Sequence, residues 1–252
     1  MAAKIIAISS FKGGTAKTSI ALHLGSALAK FHNKKVLLID FDAQANLTTG
    51  LGYDPDQQES LAQVLQRKMA INQVTLNSSI ANLEIIPADT WLERIEVTGE
   101  LASDRYSHER LRSLTKDLPY DVIIIDTPPS LCWLTESALI AADYSLICST
   151  PEFYSIKGLE RLSQFILNIS KRHPIEILGV AISFWNNRGK SNDAFIEIIE
   201  SIFPNKLLKA KIRRDISISE AAIYGKPIFE TAPTCRAAQD YKSLTEEILH
   251  RM

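Results

Sequence analysis

Lys4-Ile5-Ile6-Ala7-Ile8-Ser9-Ser10-Phe11-Lys12-Gly13-Gly14-Thr15-Ala16-Lys17-Thr18-Ser19 decides how this chain reads. A short apolar run enters a turn with adjacent glycines, and a helical pattern leaves it over about 17–32. An anion needs donors at such a concave turn. Gly13 and Gly14 let peptide N–H groups point inward with no side chain in the way. The start of the following helix adds unpaired N–H groups and the positive end of its dipole. Lys17 is placed to reach β- and γ-phosphates, and the Thr18 hydroxyl to ligate Mg²⁺. Ala16 carries a Cβ, so a negative φ is expected there. The bland alternative is a glycine turn with solvated lysines; the strand–loop–helix context argues against it.

Working outward, short β-rich runs alternate with longer helical patterns. Strands are expected at Lys4–Ile8, Lys35–Asp40, Leu83–Ile86, Val122–Asp126, Tyr144–Ser149, Glu176–Phe184 and Leu207–Ile212. Several are continuously apolar, as parallel strands covered on both faces are. Helices are expected at about 17–32, 58–68, 105–117, 133–142, 156–172, 191–203, 215–223 and 237–251. The alternation predicts an α/β fold with one doubly wound, mostly parallel sheet and helices on both faces. Residues 1–252 read as one domain, with loops and short helices over 50–104.

Two further strands end in acid. Leu38-Ile39-Asp40-Phe41-Asp42 and Ile124-Ile125-Asp126-Thr127-Pro128-Pro129 place three aspartates at carboxyl ends, where open parallel sheets bind ligands. Singly, each Asp reads as a cap or turn residue. Together, beside a phosphate loop, they can organise Mg²⁺ and water.

The loop departs from the standard Walker A pattern, because Phe11 and Ala16 replace its glycines. It fits the deviant form, Lys-Gly-Gly at 12–14 with Lys17 and Thr18. Lys12–Ser19, Asp40–Leu47 and Asp126–Ser130 resemble the deviant Walker A, A′ and Walker B motifs of the ParA/Soj/MinD ATPases. Thr48–Gly52, Pro151–Ser155 with Gly158-Leu159, and Ser219-Glu220-Ala221 with Tyr224–Pro227 look like ParA/Soj in particular. The resemblance covers nearly the whole chain and is loosest over 53–115.

That resemblance implies a slow ATPase using ATP and Mg²⁺, dimeric when ATP is bound. It implies non-specific binding to double-stranded DNA and stimulation by a centromere-binding ParB-type partner, in chromosome or plasmid partitioning. Lys12 would be the signature lysine, reaching the partner subunit's phosphates. Residues 12–19 (Lys12, Gly13, Gly14, Thr15, Ala16, Lys17, Thr18 and Ser19) would cradle the nucleotide. Thr18 would ligate Mg²⁺ and Asp126 would hold it through water, with Asp40 supporting the metal shell. Asp42 would orient the attacking water, and Thr127–Ser130 would be the second switch loop. Asn186, with the backbone near Ile212, Arg213 and Pro233, would face adenine. Arg213 stands where relatives often carry proline, and Ser217 where a basic residue often follows.

Residues 205–214 carry Lys206, Lys209, Lys211, Arg213 and Arg214 and no acid. Such a run alone reads as a solvated face. With the resemblance, Arg188, Lys190, Lys211, Arg213 and Arg214 are expected to form one DNA patch.

The chain has 252 residues, with 28 Lys plus Arg against 29 Asp plus Glu, a formal charge of −1. That balance excludes a protein coated all over with cation for nucleic acid and leaves a local patch open. Apolar residues make up 46% and charged residues 23%, which excludes a disordered or fibrous chain. Cys132, Cys148 and Cys235 form no CxxC pair, so neither a disulfide framework nor a zinc pattern is present. A related iron–sulfur branch bridges its dimer with two cysteines per subunit near the second switch loop; Cys132 has no second one nearby. The histidines show no metal-ligand spacing. The segment starting at Met1 lacks the apolar core of a signal peptide, and no apolar run is long enough to span a bilayer. A soluble, cytoplasmic, nucleoid-associated protein without an N-terminal helix-turn-helix domain is expected. A MinD-like membrane-positioning ATPase would need a basic amphipathic terminal helix, whereas 244–252 contains Glu246 and Glu247. A small-molecule kinase would leave Lys12 without a task.

Overall fold

A computed structural model describes residues 2–99, 101, 104, 106–152, 156–189 and 192–252. The expected DNA contact Lys190 and the stretch Phe153-Tyr154-Ser155 lie outside the described residues. Among the described residues, eight strands form one sheet: β1 (Lys4–Ser9), β2 (Val36–Asp40), β3 (Leu76–Asn77), β4 (Leu83–Ile86), β5 (Val122–Asp126), β6 (Tyr144–Ser149), β7 (Glu176–Trp185) and β8 (Leu207–Arg213). Their order is β3-β4-β2-β5-β1-β6-β7-β8, and β3 runs antiparallel to β4 while the other pairs are parallel. The helices are α1 (Lys17–His32), α2 (Asn46–Gly50), α3 (Leu61–Leu65), α4 (Ile71–Val74), α5 (Trp91–Thr98), α6 (Arg110–Thr115), α7 (Trp133–Ala141), α8 (Ile156–Ser170), α9 (Asn192–Ile202), α10 (Ile216–Ile223), α11 (Ile228–Thr231) and α12 (Arg236–Arg251).

Strand alternation splits the core in two. Ile5, Ala7, Leu37, Ile39, Ile123 and Ile125 face one layer, with α7, α8 and α9 packed on it. Ile6, Ile8, Val36, Leu38, Val122 and Ile124 face the other, with α1, α11 and α12. Both faces are therefore covered, and β2 and β5 are buried along their whole length. α1 lies close on the sheet: a Cβ at Gly25 would meet Leu38 Cδ2 at 2.6 Å.

The edge strand β8 is closed by acids from α12. Glu247 accepts the Lys209 and Ala210 N–H groups at 3.0 Å each, and Asp240 accepts the Arg213 N–H at 3.0 Å. Charged side chains thereby satisfy a ladder that would otherwise invite another strand.

The strands at 83–86, 122–126 and 144–149 have the expected bounds, while β1, β7 and β8 each run one residue further. The helix expected at 58–68 contracts to α3, because a Ser60–Gln63 capping box starts it late. The helix expected at 105–117 is a 3₁₀ turn, Ser107–Glu109, followed by α6.

The strand order brings the carboxyl ends of β2, β5 and β1 side by side, with Asp40 opposite Asp126 in register. β1 lies between β5 and β6, so the loop that follows it opens near the point where the sheet's winding reverses.

Candidate functional site

The loop between β1 and α1 is held by its own side chains. The Thr15 hydroxyl donates to Ser10 Oγ at 2.9 Å, and Ser10 Oγ donates to the Lys12 carbonyl at 2.8 Å. Gly14 has φ 73° and Ala16 has φ 64°. The negative φ expected at Ala16 is thus incorrect. Left-handed residues flanking Thr15 turn successive N–H groups toward one point, an anion nest. The Cβ penalty, about 1–2 kcal/mol, is outweighed by the frame of hydrogen bonds around the loop. Ala16 also starts α1, and its carbonyl accepts the Ile20 N–H at 2.9 Å.

A cavity of about 450 Å³ lies over this loop, lined by residues 13–19 together with Asp42, Asn46, Pro129 and Ala222. Lys17 is buried there at 7% exposure. Asp40 is fully buried yet satisfied: Thr48 donates to its Oδ2 through N–H at 2.8 Å and through the hydroxyl at 2.7 Å. Burial pushes its carboxyl up to about 6 against those donors. Asp126 is also fully buried, and neither of its oxygens has a hydrogen-bond partner among the described residues. Burial, then the Asp40 charge, pushes it up to about 8, opposed by the nearby Thr18 hydroxyl and Lys17 ammonium.

An orphaned carboxylate beside Thr18 and under a phosphate cradle fits a hard divalent cation. The described residues contain no cluster of three or more His, Cys, Asp or Glu able to cage a metal alone. The donor set therefore suits Mg²⁺ shared with phosphate and water. Asp42 faces the cavity, with Oδ1 accepting the Gln44 N–H at 3.1 Å. Thr127 ties the loop after β5 to β1 by donating to the Ile8 carbonyl at 2.7 Å.

Lys12 behaves differently from Lys17. Its side chain is half exposed, does not line this cavity and pairs with Glu152.

Asn186 and Arg213 meet at a second cavity, about 510 Å³, that also holds Phe184, Arg188, Arg214 and Arg236. Ile212 is buried in the core, and neither it nor Pro233 lines that cavity, whereas Asn186 and Arg213 of the expected adenine set do. The expected DNA set changes too. Arg188, Arg213 and Arg214 share the groove, but Lys211 does not. Its ammonium turns back onto the Leu208 carbonyl, and burial lowers its pKa against the pull of Glu247 and Glu200. Arg213 is gripped in a fork by Asp240, at 3.0 and 2.6 Å. The Arg214 guanidinium lies over the Phe184 ring, 5.0 Å from its centroid.

Sequence reasoning missed Arg236 and Asp240, and read Thr48 only as part of a family-like stretch without its bonds to Asp40. From α12, more than twenty positions beyond β8, Arg236 reaches the groove and Asp240 grips Arg213, and no local pattern marks them. Thr48 sits on the unexpected five-residue α2.

Residues 3–177 match the AAA domain family. A ParA family protein of Chlamydia muridarum is 66% identical over 248 residues, covering 98% of this chain and 97% of that protein. The chain belongs to the ParA family. The chromosome partitioning protein ParA of Caulobacter vibrioides is 33% identical over 253 residues, covering 98% of this chain and 94% of its own. Among solved structures, the cell division ATPase MinD of Pyrococcus furiosus superposes with a TM-score of 0.82 at 26% identity over 99% of both chains. This ParA-family chain is thus an ATPase of the partitioning and positioning class.

Proposed function

We propose that this ParA-family chain is an ATP- and Mg²⁺-dependent switch that dimerises on ATP, binds double-stranded DNA without sequence preference and drives chromosome or plasmid partitioning. A ParB-type partner stimulates its hydrolysis. The observation that carries the reading is Asp126: a fully buried carboxylate with two unpartnered oxygens, beside Thr18 and Lys17, beneath a nest of N–H groups. Such an arrangement is costly without a cation and has a purpose with one.

Bound Mg²⁺ would offset charge on the β- and γ-oxygens. The loop N–H groups and Lys17 hold and orient the phosphates. Thr18 would ligate the metal and Asp126 would hold it through water, with Asp40, fixed by Thr48, supporting its shell. Asp42 orients the attacking water at the γ-phosphate. Lys12, away from its own cavity, reaches the phosphates of the second subunit, where charge collects in the transition state.

DNA binding rests on Arg188, Arg213 and Arg214, with Arg236 added. One groove makes few phosphate contacts; joining two subunits doubles them and raises avidity without new chemistry. The membrane-positioning alternative finds less support. α12 buries Tyr241, Leu244 and Ile248 in the core, so its apolar face is already used. No helix among the described residues is long and apolar enough to cross a membrane.

Gel shift of a random-sequence duplex with ATP, with ADP and without nucleotide, beside light-scattering mass, tests the proposal. A shift and a doubled mass with ATP alone are expected. Equal shifts in all three states would remove the switch.

A further inference from the structure

A cavity of about 410 Å³ lies behind the second switch loop, between α5, the Ser107–Glu109 turn and the start of α7. Its walls include Ile95, Glu96, Leu101, Asp104, His108 and Trp133. It shares no lining residue with the nucleotide cavity or the arginine groove.

Two of its polar atoms are buried without a hydrogen-bond partner: Glu96 Oε1 and His108 Nδ1. The nearest charged group to the latter is another acid, Glu136 Oε2 at 3.8 Å. Asp104 is already engaged, by Arg110 at 2.7 Å and Arg67 at 3.7 Å. Glu96 has no such cation among the described residues. Its other neighbour, the Cys132 thiol, is held above the usual thiol range by burial first and by a hydrogen bond to the Glu96 carboxylate second, so it is a neutral partner that leaves the carboxylate's charge unmatched. The Trp133 ring stands beside His108, with centroids 5.7 Å apart at 49°.

Buried polar atoms in native proteins have partners, and each exception calls for an explanation. The Glu96 oxygen accepts hydrogen bonds, and the His108 Nδ1 accepts one in the neutral tautomer whose Nε2 carries the proton. A ligand that satisfies them must present at least two donors, carry positive charge for Glu96 and tolerate an aromatic face. An ammonium meets the second condition as a point charge. A guanidinium meets all three: it is planar, carries five N–H donors in a fixed fork and stacks on aromatic rings.

We propose that this cavity is a guanidinium-binding site, with Glu96 as the counter-charge, His108 Nδ1 as the second acceptor and Trp133 as the flat wall. The group could be borne by an arginine side chain of another protein or by a free guanidino compound; the recognition chemistry is the same. The assignment does not depend on DNA binding. Its wall is one ring from the nucleotide end, because Trp133 meets Phe41 edge-on at 6.4 Å, and Phe41 lies between Asp40 and Asp42.

Calorimetric titration of the full chain with N-acetyl-arginine methylamide, against N-acetyl-lysine methylamide, tests this. Saturable one-to-one binding in the millimolar range is expected, with arginine at least about fivefold tighter than lysine. Glu96→Gln, with its melting point checked, should weaken arginine binding at least about tenfold. Indole N–H resonances give an independent readout without a change at the acid. The resonance absent from Trp133→Phe should move on titration of the wild type, while those of Trp91 and Trp185 stay. A Gly-Arg-Gly peptide that binds as well as the single residue identifies a protein side chain as the source. A peptide that is excluded while the single residue binds identifies a free compound. No saturable binding, equal affinity for lysine, or an unmoved Trp133 resonance would overturn the assignment.

Discussion

The phosphate end and the arginine groove are built in opposite ways. At the phosphate end, three adjacent strands deliver their carboxyl termini to one place, and Lys17, Asp40 and Asp126 are buried. The groove gathers exposed arginines from the β7–α9 loop, the end of β8 and the start of α12. Burial makes charge expensive, so each residue of the first region is committed to one task. Exposure makes charge cheap, so single residues of the second are replaceable. The two regions should therefore respond to mutation on different scales.

The largest effect is expected at Lys17. Lys17→Ala removes the buried cation over the cradle and should cut ATP affinity by about a hundredfold or more, read by nucleotide fluorescence. Near-normal affinity would mean that the loop is not the phosphate site. Asp42→Ala comes next. Its carboxylate lines the cavity and acts on Asp126 only as one more negative charge, so binding of ATP should persist while turnover falls about a hundredfold. A steady-state assay beside light scattering should show an accumulated ATP dimer.

Asp126 gives an effect of opposite sign on stability. Its folded carboxyl is raised to about 8. A raised acid favours folding most below its ordinary value near 4, and that contribution is lost as pH rises through about 8. Without metal, the chain should lose stability over that window, and Mg²⁺, which replaces the proton, should bind more tightly across it. Asp126→Asn should raise the melting point of the metal-free chain at pH 8 by about 5 °C, a gain of ~2 kcal/mol, while abolishing the Mg²⁺ response. A lower melting point would contradict the orphaned state of this group.

The smallest effect belongs to Lys211. Folded back on Leu208 and away from the groove, Lys211→Ala should change DNA affinity less than about twofold. A large loss would place it back among the DNA contacts.

The same contrast explains what could be read from residues alone. Ile123–Ile125 and Leu37–Ile39 are continuously apolar because both faces of the sheet are covered, so their strands and acidic ends were legible. α5, α4 and α11 are short and set by packing and loop geometry, and no long periodic stretch marks them. Ala16 shows a local rule losing to a functional one: Cβ sterics favour negative φ, but the nest requires the left-handed conformation. Lys211 read as one charge in a run of five; only the fold shows that its ammonium folds back onto the Leu208 carbonyl, beside Glu247 of α12 and Glu200 of α9. Arg236 entered from a distant helix, which no spacing within 205–214 could supply.

The central claim is that nucleotide in the buried region switches on DNA binding at the exposed one. Fluorescence anisotropy of a random-sequence duplex, with ATP and over a salt series, tests it most directly in the wild type and in the Arg188→Glu/Arg214→Glu double variant. The account predicts tight, ATP-dependent binding for the wild type, with a steep salt slope. In the double variant affinity should collapse and the slope should flatten by ~0.9 per lost phosphate contact, while ATP-driven dimerisation survives. Unchanged affinity and slope in that variant would show the groove to be a solvated face and contradict the account.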